Sequence, residues 1–355
     1  MKRNKLTLMI VSVLLVLSTL LTGCTKEQEE TPIESKGMSY FGYFDTVSYI
    51  FDYSGDSTEG FEKKCDDITD ILSEYNELFD IYHEYSGLNN LRTVNKNAGE
   101  AVVVDQKLID FLLYAKELYG KTNGEMNIML GSVLKLWHNC REAASDNPES
   151  ATIPSAEELE EASKHISIDL LEIDKENSTV KITDPKASID VGAVGKGYAT
   201  EMAAQYLYQE NAYGYVLNIG GNIRICGYKP DGSGWVTGIR NPFDDNGDFV
   251  ARIKIADTAC VTSGVYERYY IYEGERYHHI IDKDTLYPAS YYVSLTVVTE
   301  DSGLADVLST ALFCMPLDEG KAFVENMEGV EVLWILPDGT MEYSSGMNNY
   351  LVTNS

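Results

Sequence analysis

The chain has 355 residues, of which 44% are hydrophobic, so it can bury a large core in one big domain or two closely packed ones. Its 56 Asp and Glu residues outnumber 28 Lys and Arg residues, which gives a formal net charge of −28. This charge repels nucleic acid and anionic lipid and excludes both as partners of the folded body. An acidic protein that binds a polyanionic ligand is expected to need a metal ion to do so.

The N-terminus predicts an export signal. Three basic residues precede an apolar run from Leu6 to Leu21, which ends in Leu21-Thr22-Gly23-Cys24. This pattern predicts a lipoprotein signal peptide at residues 1–23, cleaved before Cys24. An uncleaved membrane helix is the alternative, but the run is short and small residues stand where a peptidase cuts. Without the three signal cations, 25 basic residues face 56 acidic ones, a net charge of about −31 (25 − 56).

Residues 24–37 continue with Cys24 and a polar and charged segment, TKEQEETPIESKG, at residues 25–37. This composition predicts a flexible tether, which leaves residues 38–355 as the folded body. Five cysteines remain in that body, an odd number at wide spacing with no C-x-x-C motif. We therefore expect buried free thiols rather than a disulfide scaffold, and the five histidines form no zinc-type spacing with them.

In the first half of the body, the sequence predicts a strand at 45–53 followed mainly by helices. Apolar residues at alternating four- and three-residue steps from Phe61 to Phe79 predict a long helix. Further helices are predicted at 105–118 with Asp105 as the N-cap, at 133–141, and at 156–165, where the helix is acidic and lies on the surface.

The second half is richer in strands. The patterns predict one helix at 303–315, a hairpin about Pro337-Asp338-Gly339, and strands at 179–189, 215–226 (two strands about Gly220-Gly221), 235–240, 249–255, 269–281 and 291–298. Helices come early and strands late, without strict β-α-β alternation. The sequence therefore predicts an α+β fold with mixed helices and largely antiparallel sheets.

The stretch DVGAVGKGYA, residues 190–199, combines a carboxylate, a nearly bare backbone and an ammonium group. It matches neither the Walker A loop nor the G-x-G-x-x-G fingerprint. Small residues still let a ligand approach the backbone, and apolar spacing from Ala199 to Leu207 predicts a helix whose free N–H groups attract anions. A plain strand-to-helix turn explains the stretch equally well.

The predicted helix GLADVLSTALF carries a carboxylate and a hydroxyl on one face, because Asp306 and Thr310 are four residues apart. Two such oxygens can bind magnesium or calcium. On this segment alone, solvent exposure of both side chains is the favoured interpretation. The predicted core stripe lies on another face and consists of Leu304, Leu308, Ala311 and Leu312.

Two adjacent histidines, His278 and His279, lie in the predicted strand 269–281. Their side chains are expected to point to opposite faces, so only one can enter a given site. A histidine there can act as a general base or hold a phosphate, and a polar surface residue is the alternative.

Six motifs follow one another in the chain: D-x-G-A-x-x-K-G-Y-A, L-N-I-G-G-N, G-I-R-N-P, T-S-G-x-Y-E-R, Y-H-H-I-I-D and A-D-x-L-S-T-A-L. In this order and wording they resemble the ApbE-type FAD:protein FMN transferases, and the similarity runs from about Tyr40 to the C-terminus. The resemblance implies an ApbE-like architecture of the T-fold type and a flavin transferase catalytic domain over residues 38–355.

The resemblance also implies a reaction. Such an enzyme splits FAD with a divalent metal, here expected to be Mg²⁺. It attaches the FMN half through a phosphoester to a threonine of a partner flavoprotein, expected to be a subunit of a membrane redox complex, and releases AMP. The lipoprotein pattern implies that Cys24 is acylated and holds the enzyme on the outer face of the cell membrane.

Matching the motifs position by position implies the site residues. His279 is the implied catalytic base or phosphate-positioning group. The metal ligands would be the Ala193 carbonyl, Asp306 and Thr310. The residues implied to contact FAD are Phe41, Tyr82, Glu125, Met126, Asn127, Asp190, Lys196 and Ile280.

One segment departs from the family pattern. Many members have Phe-Asp-Pro-Thr-Val-Gly-Pro where this chain has EMNIMLG at residues 125–131. Asn127 replaces an aspartate, so it keeps an acceptor but loses the charge. The nucleotide contacts of residues 125–127 therefore do not follow directly from the family pattern.

Two other functions stay open on the sequence. One is a magnesium-dependent FAD pyrophosphatase, which would use water and give free FMN and AMP. The other is a non-catalytic lipoprotein that only binds flavin. Asp306 and Thr310 disfavour the second, because holding flavin requires no catalytic metal, but no residue separates the transferase from the hydrolase.

Overall fold

The structure is a computed structural model, and it describes residues 35–244 and 246–352. The predicted signal peptide, Cys24 and most of the predicted tether lie outside the described residues. Lys36 and Gly37, which we assigned to the end of the tether, are the first two residues of a strand. Within the described ranges, no helix is both long enough and apolar enough to cross a membrane.

The described residues form fifteen strands and eight α-helices, with short 3₁₀ turns between them. The strands are β1 (Lys36–Tyr43), β2 (Thr46–Asp52), β3 (Ala101–Val103), β4 (Leu171–Asp174), β5 (Thr179–Ile182), β6 (Tyr215–Ile219), β7 (Asn222–Cys226), β8 (Trp235–Arg240), β9 (Phe249–Ile255), β10 (Ala259–Gly264), β11 (Tyr269–Tyr272), β12 (Glu275–His278), β13 (Ser294–Thr299), β14 (Glu331–Ile335) and β15 (Met341–Tyr343). The helices are α1 (Thr58–Phe79), α2 (Leu91–Lys96), α3 (Gln106–Lys121), α4 (Gly131–Asp146), α5 (Ala156–Ser163), α6 (Gly195–Gln209), α7 (Ser302–Ala311) and α8 (Leu317–Val324).

Eight strands form the central sheet, in the order β1-β2-β6-β7-β10-β13-β14-β15. Each neighbouring pair is antiparallel. The turn between β6 and β7 uses Gly220 and Gly221, whose φ angles of 56° and 92° favour glycine because it has no Cβ. A three-stranded sheet, β3-β5-β4, and the hairpins β8-β9 and β11-β12 stand apart from the central sheet.

The central sheet is buried on both faces. Helices α1, α6 and α7 cover one face, where Val297 of β13 and Trp334 of β14 join the main core. On the other face, Val298, Leu333 and Ile335 pack with the β8-β9 hairpin in a second core. Successive residues of a strand point to opposite faces, which is why these strands read as nearly continuous apolar runs.

A third apolar cluster joins α4 and α5 to the β11-β12 hairpin. Trp137 of α4 stacks on Tyr277 of β12, with ring centroids 5.7 Å apart and planes 19° from parallel. The indole Nε1 of Trp137 donates a hydrogen bond to the Leu286 carbonyl at 2.9 Å. This packing holds α4 beside the end of β12, where the histidine pair begins.

The predicted α+β class is confirmed, and several predicted elements are found with their expected contacts. Asp105 caps α3, since its side chain accepts a hydrogen bond from Lys107 N at 2.8 Å. Helix α6 begins at Gly195, inside the glycine stretch rather than after it. The helices α2 and α8 and the strands β1, β3, β4 and β10 have no counterpart among the predicted elements.

Two predicted strands are wrong in extent. The strand predicted at 269–281 is a hairpin of two short strands, because Glu273 and Gly274 have φ angles of 50° and 87° and turn the chain. The strand predicted at 179–189 ends at Ile182. Pro185 has no N–H to continue a ladder, and Ala187 N instead donates to the Asp184 carbonyl at 3.1 Å in a turn.

Candidate functional site

Helices α6 and α7 cross at a glycine. A Cβ built on Gly197 would lie 2.4 Å from Asp306 Cβ and 2.4 Å from the Ser302 carbonyl oxygen, so the helices could not approach as closely with any larger residue. Asp306 Oδ2 accepts a hydrogen bond from Gly197 N at 2.8 Å. The N-cap of α6 is Val194, which has no side-chain acceptor, so Asp306 caps the first turn of α6 from the neighbouring helix.

The favoured interpretation of Asp306 from its own segment, a solvent-facing carboxylate, is wrong. Asp306 is only 5% exposed, whereas Thr310 is half-buried. The predicted one-sided core stripe is also too narrow, because α7 packs against α6 and against strands β10 and β13 and is buried nearly all round. The carboxylate therefore lies inside the protein, where a counter-charge has a large effect.

A second contact mirrors the first. Glu201 of α6 accepts a hydrogen bond from Ser302 N of α7 at 3.0 Å and another from Arg224 Nε at 3.1 Å. Both charged side chains are buried. Burial raises the pKa of Glu201, and the Arg224 charge opposes that rise. Each helix thus offers a carboxylate to a backbone N–H of the other, which sets the register of α6 against α7.

The α6-α7 crossing offers three oxygen donors suited to a small divalent cation. The Ala193 carbonyl, just before α6, accepts no hydrogen bond from any described residue. The Thr310 hydroxyl lies one turn after the Asp306 carboxylate. Carbonyl, carboxylate and hydroxyl oxygens are the ligands that Mg²⁺ prefers, and three of them leave positions for water and phosphate.

The charged and polar groups around Asp306 are compatible with a cation site built from those three oxygens. Burial raises the pKa of its carboxyl, while Lys196, the Gly197 N–H and the Asn222 amide oppose the rise. Within residues 35–244 and 246–352, no group of three His, Cys, Asp or Glu side chains is placed to hold a metal ion. A site with one carboxylate leaves a divalent cation with net positive charge, which suits a phosphate ligand rather than a purely structural role.

Asp190 stands at the other end of the glycine stretch. Its Oδ1 accepts a hydrogen bond from Gly192 N at 2.9 Å, and its backbone N–H donates to the Ile128 carbonyl at 2.8 Å. Burial raises the pKa of its carboxyl, and His138, Arg268 and Arg141 oppose the rise. Asp190 is thus an acceptor held in place by the backbone around it.

Tyr82 borders the same region and is 48% exposed. Its ring stacks on that of His138 of α4, with centroids 4.9 Å apart. Arg141 Nη2 lies 2.9 Å from His138 Nδ1. A guanidinium can only donate, so this ring nitrogen is the acceptor and is not protonated. Burial and Arg141 accordingly lower the pKa of His138.

The two adjacent histidines have different environments. His278 is buried, its Nε2 donates to the Ala289 carbonyl at 2.8 Å, and its Nδ1 accepts from Ile280 N at 3.2 Å. Both of its ring nitrogens are therefore occupied. His279 is half-buried, and its Nδ1 donates to the Arg268 carbonyl at 3.2 Å, so Nε2 remains an acceptor. Burial, Arg268, His278 and Arg141 lower the pKa of His279 to about 3.

The other residues implied to contact FAD differ in their exposure and in their contacts. Phe41 is 82% exposed on the edge strand β1, whereas Ile280 and Met126 are buried. Glu125 pairs with Lys283 at 3.2 Å. Asn127 donates to the Ile166 carbonyl at 2.8 Å and accepts from Met129 N at 2.9 Å, so its side chain holds the local turn.

The sequence patterns did not single out several residues that the fold brings to this region. His138 and Arg141 lie on α4, and Arg268 follows β10 at the end of the T-S-G-x-Y-E-R motif. Glu201 and Arg224 form the buried pair behind the α6-α7 crossing. Arg268 had a sequence signal in its motif, whereas the only sequence signal for Arg141 and Arg224 is that cations are scarce in so acidic a chain.

Comparison with known proteins bears on the identity of this fold and site. The ApbE family model matches residues 45–334. A FAD:protein FMN transferase of Vibrio cholerae is 30% identical over 329 residues, which covers 92% of this chain and 94% of the relative. Another, from Haemophilus influenzae, is 30% identical over 320 residues and 89% of each chain. A crystal structure of an ApbE protein from Thermotoga maritima superposes with a TM-score of 0.80 at 29% identity, over 90% of this chain and 100% of that one.

These matches extend over nearly all of the described fold and include both helices of the α6-α7 crossing. They confirm the family that the six motifs predicted. The chain belongs to the ApbE family.

Proposed function

We propose that this flavin transferase moves the FMN half of FAD to a threonine hydroxyl of a partner flavoprotein and releases AMP, with a divalent cation, Mg²⁺, at the α6-α7 crossing. The observation that carries the proposal is the buried Asp306 carboxylate, which accepts from Gly197 N at 2.8 Å, four residues after the unbonded Ala193 carbonyl. The similarity to enzymes named FAD:protein FMN transferase supports the donor and the transferred group.

The Ala193 carbonyl, Asp306 and Thr310 would hold the cation. When bound, the cation would act as a Lewis acid and stabilise negative charge on the pyrophosphate and on departing AMP. Lys196, the residue before Gly197, would add a second positive charge, and its charge opposes the rise in the pKa of the Asp306 carboxyl. Asp190 offers an acceptor for hydroxyl or N–H groups of the dinucleotide.

The transfer step balances without any further reactant. A bond forms between the threonine oxygen and the FMN phosphorus, and the bond from that phosphorus to the bridging oxygen breaks. The bridging oxygen leaves with the electron pair as part of AMP. The threonine proton passes to a base, for which His279 Nε2 is our candidate, because its Nδ1–H is held by the Arg268 carbonyl.

The low pKa of His279, about 3, keeps the free imidazole neutral and its Nε2 lone pair available at neutral pH. Such an imidazole is a weak base in the empty site. The negative charge of a docked pyrophosphate would raise this pKa toward the working pH, because a nearby opposite charge favours the protonated form. The substrate would thereby improve the base that acts on it.

The test is incubation of the purified folded body with FAD, Mg²⁺ and a candidate acceptor subunit, followed by a denaturing gel read for flavin fluorescence. We expect fluorescence on the acceptor and an equimolar amount of AMP. An acceptor whose target threonine is replaced by valine is the matched control and should stay dark. Free FMN with no labelled acceptor would instead support the pyrophosphatase, and unchanged FAD would support the non-catalytic binder.

We also propose that acylated Cys24 anchors the enzyme to the cell membrane, facing outside the cytoplasm. The support is the apolar run that ends in Leu21-Thr22-Gly23-Cys24, followed by a polar segment. An acceptor in a membrane redox complex would then lie within reach of the tethered domain.

A further inference from the structure

The α6-α7 crossing is held by hydrogen bonds at two points. At one point, Asp306 Oδ2 accepts from Gly197 N at 2.8 Å. At the other, Glu201 Oε2 accepts from Ser302 N at 3.0 Å. The two points are four residues apart on each helix, which corresponds to about 6 Å along the axis. The two bonds therefore close a four-cornered unit, and neither helix can slide along the other without breaking one of them.

The start of α7 depends on the second bond for its polar contact with α6. Ser302 is fully buried, and its hydroxyl has no hydrogen-bond partner among the described residues. The N-cap of α7 is Asp301, which accepts from Leu304 N at 2.7 Å within the same helix. Asp301 also accepts from the Tyr114 hydroxyl, but Tyr114 belongs to α3. The bond from Ser302 N to Glu201 is thus the contact that ties this helix end to α6.

Arg224 of β7 fixes the Glu201 carboxylate. Its Nε donates to Glu201 Oε2 at 3.1 Å, and the two side chains are only 6% and 9% exposed. Its Nη1 donates to the Ile225 carbonyl at 2.6 Å, and the guanidinium carbon lies 5.5 Å from the centroid of the Tyr208 ring. A guanidinium held by these contacts presents its donors in one direction. The central sheet thereby determines where the Glu201 oxygen stands.

Stability alone does not explain a buried ion pair of this kind. The cost of removing both charges from water largely offsets their attraction, and apolar side chains of similar size are often as stable. Apolar side chains cannot bond a backbone N–H at one fixed position, whereas a charge-assisted hydrogen bond is short and directional. A pair of charges is therefore suited to a place where one helix must be fixed lengthwise against another.

We propose that Arg224 and Glu201 form a positioning pair for the cation site. They fix α7 along α6, and α7 carries Asp306 and Thr310, whereas the Ala193 carbonyl precedes α6. A slip of one residue would move both α7 ligands by about 1.5 Å, against a tolerance of roughly 0.5 Å for a functional site. Neither member of the pair is a proposed ligand. The inference rests on the proposed function for the cation itself.

The test removes both charges together, because removal of one would leave the other buried and unpaired and could prevent folding. The variant is Arg224→Met combined with Glu201→Met. Calorimetric titration of the purified full chain with Mg²⁺, at a temperature where every variant is folded, should show a fall in affinity of roughly tenfold or more. A pair with only a structural role would lower the melting temperature and leave the Mg²⁺ affinity of the folded protein unchanged.

A second readout needs no metal. If the pair fixes the crossing, its loss should also loosen the other corner, where Gly197 N bonds to Asp306 rather than to Glu201. Hydrogen exchange at the Gly197 amide, measured by NMR on the metal-free chain, should speed up by roughly tenfold or more in the double variant. Unchanged exchange at this amide would overturn the proposed coupling.

The matched control is Lys321→Met combined with Glu342→Met. This partly buried pair joins α8 to β15 at 2.6 Å, so its loss removes the same two charges away from the crossing. The control should keep the Mg²⁺ affinity and the Gly197 exchange rate of the parent. Equal Mg²⁺ affinity in the parent and in the double variant at the crossing, or an equal loss in the control, overturns the positioning role alone. A parent that binds no Mg²⁺ would instead contradict the cation of the proposed function, and the positioning role would fall with it.

Discussion

Asp306 Oδ2 accepts a hydrogen bond from the backbone N–H of Gly197 at 2.8 Å, and this contact joins α7 to the glycine stretch at the start of α6. One buried carboxylate thereby satisfies an unpaired amide of a helix N-terminus, four residues after the Ala193 carbonyl. The contact has two requirements, a residue without Cβ at position 197 and an acceptor at position 306. Both can be changed separately.

Gly197→Ala should destabilise the fold and weaken cation binding together. The added methyl would lie 2.4 Å from Asp306 Cβ and from the Ser302 carbonyl, so α6 and α7 must separate. Overpacking of this kind costs about 1–3 kcal/mol in the free energy of unfolding. Urea denaturation and Mg²⁺ titration measure the two effects.

Gly120→Ala is the control for that variant. Gly120 also lies in a helix, α3, but a Cβ there meets no atom within 4 Å. Removing a helical glycine at an open position should stabilise by about 0.5–1 kcal/mol. Equal changes in the free energy of unfolding of the two variants would mean that close packing at Gly197 does not contribute to stability.

Asp306→Asn should keep the fold and lose the cation. The amide oxygen can still accept from Gly197 N, but the charge is gone. Loss of a residue that only supports a metal ligand typically lowers metal affinity by roughly 10–100-fold. Loss of the Asp306 charge should lower cation affinity by more than this, and FAD turnover should be lost with it. Asp306→Ala tests less cleanly, because it leaves a buried N–H unsatisfied at a cost of about 1–3 kcal/mol. Full turnover in the Asn variant would remove Asp306 from the site.

Cation binding should also weaken as the pH falls. This weakening should begin at a higher pH than at a site built on an aspartate with an ordinary pKa. Burial raises the pKa of Asp306 above its usual 3.8, so a proton competes with the cation up to that raised value. In the metal-free protein, the stability from this held proton is present at low pH and is lost as the pH rises through the folded pKa. Calorimetric titration with Mg²⁺ at several pH values measures the effect. A pH dependence that persists in Asp306→Asn would assign the proton to another group.

His279→Ala and His278→Ala should fail in different ways. His279 has a free Nε2, so its loss should slow transfer by roughly a hundredfold while FAD affinity changes less. His278 bonds the Ala289 carbonyl and Ile280 N and packs edge-on against Phe313, so its loss should mainly lower the melting temperature. Rate, FAD affinity and melting temperature are measured on both. A larger loss of rate at His278 among folded variants would reverse the assignment.

Cys24→Ala should release the protein from the membrane. Without the thiol there is no site for the lipid, so the folded body should appear in the soluble fraction with its activity intact. Membrane fractionation followed by immunodetection measures this. A variant that still behaves as an integral membrane protein would show that the N-terminal segment is a retained helix.

Local patterns in the sequence were enough to predict many elements and the family. The four- and three-residue steps between Phe61 and Phe79 describe α1, and Asp105 caps α3, because both signals are read within one helix. The Gly220-Gly221 turn between β6 and β7 is equally local. The order of six short motifs indicated the ApbE family, since the identity and order of residues survive in a sequence without any knowledge of contacts.

Tertiary structure decided which side chains are buried, which are paired and which segments lie together. These properties depend on what packs against a segment. Asp306 was assigned to solvent from its helix alone and lies inside because α6 covers it. His278 and His279 are neighbours in sequence, and only the acceptors around them, Ala289 and Arg268, distinguish their roles.

The packing of α4 against the β11-β12 hairpin illustrates the same limit over a longer distance. Trp137 lies on α4 and Tyr277 on β12, so the two residues are far apart in the chain. Their rings stack only in the folded chain, and this contact places α4 against the β11-β12 hairpin. The sequence by itself determined the family, the fold class and the candidate ligands. The packing of helices against strands decided which of those side chains are buried, which are free, and which face one another.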